Sequence, residues 1–158
     1  MLLSFFQWMS NLPFSKGLGA SAWAFALIQA LHLVALAVFA GAVLIVDLRL
    51  MGRVLKERPV SQVANDARPW LIWGFVALTI TGIPQLMQNA MREYYSVFFW
   101  IKMVFLTLAL VFGATLRRRA TQQDPAGSGS GRTKAVGLIS TLLWAGVAIP
   151  ARLIGLFS

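Results

Sequence analysis

The sequence contains no cysteine, which excludes disulfides, thiolate metal sites and iron–sulfur clusters. Acid is scarce too: five Asp and Glu stand against fourteen Lys and Arg, and the only histidine is His32. There is no Ser-His-Asp constellation, no pair of carboxylates inside an apolar segment, no metal-protease motif and no phosphate-cradling glycine loop. The chain is therefore expected not to be an enzyme. Charge as a whole is sparse, at 12% of residues against 58% hydrophobic in 158 positions, which is far too apolar for a soluble domain of this length. Lipid is the expected solvent, and one transmembrane domain takes up the whole of 1–158, leaving no room for a soluble catalytic domain. A net charge of +9 would suggest nucleic acid in a soluble protein. Here the basic residues lie in short loops beside apolar segments, where they orient the chain and meet anionic headgroups, so no nucleic-acid partner is expected.

The expected fold is all-α: a polytopic membrane protein of four transmembrane helices plus a short N-terminal interfacial helix. Each span needs ~20 apolar residues to cross hydrocarbon. Helix one is placed at about 22–47 within the uncharged run from Gly17 to Val46. Helix two covers about 69–91, with Pro69 in its first turn and Gly82 and Pro84 bending its outer part. Helix three covers about 96–116, broken only by Lys102, and helix four about 135–156, broken only by Arg152. The stretch 117–134 joins Arg117, Arg118 and Arg119 to a Gly- and Ser-rich run and reads as a flexible cytoplasmic linker.

Of the fourteen basic residues, five lie in 48–68 (Arg49, Arg53, Lys56, Arg58, Arg68) and five in 117–134. Only Arg92 lies between helices two and three. The positive-inside rule then puts both rich loops in the cytoplasm and both termini outside. Residues 1–15 lack the basic n-region of a cleavable signal peptide and are interrupted by Ser4, Gln7, Ser10, Asn11 and Pro13. In helical projection Ser4, Gln7 and Asn11 share one face and Leu2, Phe5, Phe6, Met9 and Leu12 cover much of the rest, which predicts a helix lying on the outer leaflet with Trp8 at headgroup depth.

Ionisable groups in hydrocarbon cost at least ~2.5 kcal/mol each on insertion scales, so they are candidates for function. His32 lies ~15 Å below the outer start of helix one, with Gln29 one turn above it. Gln85 and Gln88 come near the outer end of helix two, Lys102 about two turns inside helix three, and Arg152 late in helix four. Four helices thus bring polar groups to one level, suggesting an outward-opening pocket with His32 deepest, two fixed cations, and no carboxylate nearer than Glu93. That balance argues against a proton relay and suits an anionic or carbonyl-bearing ligand, or a metal with neutral ligands. Plainer roles are open for each: Lys102 and Arg152 as snorkelling cations, His32 as a packing hydrogen bond to Gln85 or a carbonyl, and Asp47 with Arg49 as a helix-end ion pair. Ala22, Ala26 and Ala30, and Gly41 with Ala37, fit small-residue helix contacts.

Two stretches, HLVALAVFAGAVLIVDLRLMG at 32–52 and YYSVFFWIKMV at 94–104, with WAGVAIPAR at 144–152 as a weaker third, resemble an uncharacterised family of small four-helix bacterial inner-membrane proteins. More distantly they are similar to the membrane domain of copper-resistance protein D. The resemblance implies a bacterial inner (cytoplasmic) membrane location, and places His32, Asp47 to Arg49, Trp100 with Lys102, and Arg152 at matching positions.

Three functions follow. His32 could be an axial ligand to haem b, with Lys102 and Arg152 near the propionates and the second ligand from a homo-oligomer or partner. It could instead join thioethers of Met87, Met91 or Met103 at a copper(I) site. The third is an accessory subunit that binds lipid or quinone and docks onto a larger membrane complex, anchored by its tryptophans.

Overall fold

The computed structural model describes residues 1–123 and 131–157. Among the described residues the chain is helical without strands. Its elements are α1 (Leu2–Asn11), α2 (Pro13–Ala20), α3 (Ala22–Leu50), α4 (Val60–Gln88), α5 (Ala90–Tyr95), α6 (Val97–Phe112), a π-helical turn (Gly113–Arg117), α7 (Arg118–Gln123) and α8 (Gly131–Phe157). Four stretches, Ala22–Leu50, Val60–Gln88, Val97–Gln122 and Gly131–Gly155, are long and apolar enough to cross a membrane. With most large apolar side chains of these helices facing outward rather than into a core, this is a multi-pass membrane protein whose outer surface is built for lipid.

Helix boundaries differ from expectation where the chain leaves the apolar layer. Helix two begins at Val60, not near Pro69, and Pro69 and Pro84 both lie inside it. Its first two turns are amphipathic: Val60, Val63 and Ala67 are buried against Val46 and Leu50, while Gln62, Asn65 and Asp66 are exposed. Hydropathy registers only the apolar half of such a helix. At the other end Asn89 caps α4, and 90–95 form the separate α5. Of the segment 117–134, read as a linker, residues 117–123 and 131–134 are helical, and 124–130 lie outside the described residues.

α4 packs along α3, α3 also packs against α8, and α8 packs along α6. The close approaches are made by glycines. A Cβ on Gly74 would come to 3.0 Å from Phe39 Cβ, and one on Gly137 to 2.7 Å from the Asp47 carbonyl oxygen and 3.2 Å from Leu50 Cβ. Gly146 gives way in the same manner to the ring of Phe105. The small residues expected at helix contacts are not used there: Ala22, Ala26, Ala30, Ala37 and Gly41 are exposed, and a Cβ on Gly41 meets nothing within 4 Å. One-dimensional spacing locates a small-residue stripe but not the direction it faces.

The N-terminal segment forms two short helices broken at Leu12, whose extended backbone (ψ 141°) precedes Pro13. Ser4, Gln7 and Asn11 are exposed as expected. Phe6 and Met9 are buried with Ala90, Phe99 and Ile154, so α1 lies across the end of the bundle where α4 finishes, α6 begins and α8 terminates. The Ser15 hydroxyl donates to the Met87 carbonyl at 2.9 Å and ties α2 to the same end.

Candidate functional site

His32 sits on the inward face of α3, one turn from the buried Ala35 and two from Phe39. Its ring packs against α4 at Gly82, where a Cβ would come to 3.3 Å from His32 Cε1. His32 Nδ1 is 2.8 Å from the Thr81 hydroxyl oxygen. That hydroxyl has one proton, and it is committed: Thr81 donates to the Ala77 carbonyl one turn back at 2.7 Å, the usual bond of a helical threonine. With that proton on the carbonyl, Thr81 accepts from His32, and the neutral ring then carries its proton on Nδ1 and a lone pair on Nε2. Orientation of one ring nitrogen by a fixed hydrogen bond is how proteins prepare the other as a ligand or acceptor.

Gln85 lies one turn further along α4 and donates from Nε2 to the Thr81 carbonyl at 3.1 Å. Lys102 approaches from α6, near enough for its charge to act on the His32 ring. It also stands 5.1 Å above the Phe99 ring centroid and 3.9 Å from Glu93 Oε2. His32, Thr81 and Gln85 thus form one hydrogen-bonded group between α3 and α4, while Lys102 on α6 is paired with Glu93.

Glu93 changes the charge balance expected from the sequence. α5 folds this carboxylate inward beside Lys102, so that cation is paired. Glu93 Oε2 accepts no hydrogen bond. Burial raises the Glu93 pKa above its ordinary value, opposed by the positive charges of Lys102 and Arg92.

Of the predicted site residues, His32, Gln85 and Lys102 come to one region, with Thr81 and Glu93 added. Gln29 and Arg152 are exposed. Met87 and Met91 pack instead against the apolar cluster beneath α1, and Met103 is 38% exposed on α6. Among the described residues no three His, Cys, Asp or Glu side chains group to hold a metal ion.

A second polar centre lies at the basic end. Asp47, fully buried at 0% exposure, does not pair with Arg49. It accepts a hydrogen bond from Arg117 Nε at 2.7 Å, and a terminal nitrogen of Arg117 donates to the Val43 carbonyl at 3.1 Å. Ser140 and Thr141 of α8 turn their hydroxyls toward the carboxylate, though Oδ2 completes no hydrogen bond. Arg49 serves the following loop, donating from Nε to the Arg58 carbonyl at 2.8 Å. Arg117 ends the π-helical turn. Such turns alter the direction in which following side chains emerge, and sequence spacing gave no sign of it.

A family model matches residues 5–158, and the chain belongs to that family, a family of unknown function (DUF6644). No curated protein and no solved structure matches the chain, and the likeness to copper-resistance protein D finds no counterpart among the comparisons.

Proposed function

We propose, taking membership of this family as the premise, that the protein is a non-catalytic membrane accessory subunit that binds a ligand through His32, and that the ligand is haem b. The observation that carries this is the 2.8 Å contact between His32 Nδ1 and the Thr81 hydroxyl oxygen, which we read as the ring donating. With Nδ1 donating to Thr81, the Nε2 lone pair is the one left for a metal centre, and Gly82 lets the ring lie directly against α4. Haem iron accepts such an imidazole, and the bound haem would supply the redox chemistry. The chain's own task is to orient the ring and exclude water.

A single histidine supplies one axial imidazole, so bis-imidazole ligation would need a second copy of the chain or a larger membrane complex. The copper(I) alternative has no observation in its favour, since Met87 and Met91 pack into the apolar cluster under α1. We place both termini outside on the distribution of basic residues, and the protein in the bacterial inner membrane on the resemblance carried by 32–52 and 94–104. Because the chain has no cysteine, single cysteines at Ser4 and Arg118 test the orientation. A membrane-impermeant maleimide applied outside spheroplasts should label the first and not the second, and the reverse pattern would invert the topology.

The haem assignment is tested by reduced-minus-oxidised visible spectra of protein purified in mild detergent, compared with His32→Ala. A haem band lost in the variant supports it; a featureless wild-type spectrum removes haem and leaves an accessory role without it.

A further inference from the structure

The two loops rich in Lys and Arg meet at one end of the bundle, where the C-terminus of α3 and the N-terminus of α8 frame an open cavity of about 390 Å³ lined by Met51, Arg53, Lys134, Ala135 and Leu138. Its composition is amphipathic. Arg53 and Lys134 are both exposed and enter from different segments, one from the loop after α3 and the other from the first turn of α8. Among the described residues no carboxylate lines the cavity. The nearest acid on α3, Asp47, is taken by Arg117, and Asp66 lies 3.9 Å from Arg58.

The remaining lining is apolar. Met51 folds over Gly137, where a Cβ would meet Met51 Cγ at 3.1 Å. Leu138, 51% exposed, continues the apolar surface along α8 away from the two cations and into the span Gly131–Gly155. A cationic mouth at the end of a span, opening onto an apolar wall that runs along the helix, matches a molecule with an anionic head and an attached hydrocarbon chain.

We infer that this cavity is a binding site for an anionic phospholipid, its phosphate held between Arg53 and Lys134 and an acyl chain lying over Met51 and Leu138. Arg53 supplies a planar fork for phosphate oxygens and Lys134 a mobile point charge. The site is separate from His32 and does not depend on any ligand there.

The test is thermal unfolding of delipidated protein in a neutral detergent, with phosphatidylglycerol, phosphatidylcholine or glycerol phosphate added at equal concentration. Phosphatidylglycerol should raise Tm by about 5 °C or more at saturating lipid, and the other two should not. The gain should vanish in Arg53→Gln/Lys134→Gln and persist in Arg118→Gln/Arg119→Gln, which removes the same charge from α7. A gain lost equally in both doubles would show diffuse attraction to the basic end, and a gain retained in the first double would place the lipid elsewhere; either overturns the proposal. An equal gain from glycerol phosphate would reduce the site to a phosphate site without a chain and also overturns it. Should the first double fail to fold, native mass spectrometry of the wild type decides: preferential retention of phosphatidylglycerol over phosphatidylcholine supports the site, and equal retention overturns it.

Discussion

Thr81 has one hydroxyl proton and three neighbours able to take it, the Ala77 and Leu78 carbonyls and His32 Nδ1. The shortest contact is to the Ala77 carbonyl, at 2.7 Å against 2.8 Å to His32, and a carbonyl can only accept, whereas an imidazole can donate. Thr81 is therefore a positioning residue for His32. Thr81→Val should leave the bundle folded but lower ligand affinity by about 10-fold or more, the usual cost of losing such a partner, while Thr81→Ser should retain it. The measurement is haem titration followed by absorbance. Equal affinities in all three proteins would mean that the tautomer is not held by Thr81. Glu93 makes a second prediction at this scale. Its folded pKa is raised above the ordinary 4.5 by burial, so the folded state holds the proton more tightly than the unfolded state. Its favourable contribution is complete below about pH 4.5 and is lost as pH rises through the folded value. Relative to Glu93→Gln, wild-type Tm should fall as pH is raised from 4 to 7, and a constant difference between the two proteins would contradict this.

At the scale of elements, the Asp47–Arg117 pair joins α3 to the end of the α6 span and, through Ser140 and Thr141, faces α8. Removing one partner leaves an uncompensated buried charge, which costs about 3–5 kcal/mol, whereas replacing both by apolar groups of similar volume is often near neutral. Arg117→Met should lower stability by about that amount, and Asp47→Leu/Arg117→Met should recover most of it, as measured by thermal or denaturant unfolding in detergent. An additive double variant would show that the two residues do not act as a pair. The four spans are legible in the sequence because hydropathy needs no knowledge of which way a helix faces. The amphipathic turns at 60–68 are not, since half of their side chains are polar. Helix rotation is not legible either: Arg49 stands nearer Asp47 in sequence, yet the π-helical turn delivers Arg117 from 70 residues away. Placing His32, Gln85 and Lys102 at a similar depth needs only a count along antiparallel helices. Thr81, one turn before Gln85, had the right depth to be found by the same count, whereas the inward turn of Glu93 depends on α5, which no hydrophobic pattern announces.

The molecule as a whole has two polar centres separated along the bundle and a lipid-facing surface around both. The end carrying the termini is covered by α1 and α2 and holds the orientable imidazole. The basic end is locked by the Asp47–Arg117 pair and offers a cationic mouth to lipid. A chain with one histidine cannot complete bis-imidazole ligation alone, which makes association with a second copy or a larger complex part of the same account.

The central claim is that His32 Nε2 ligates haem b, and the most direct measurement is the reduced-minus-oxidised visible spectrum of the protein purified from membranes in mild detergent beside His32→Ala. The account predicts a b-type haem band in the wild type that is absent from a variant which still folds. A featureless wild-type spectrum, or a band that survives the loss of His32, would contradict it.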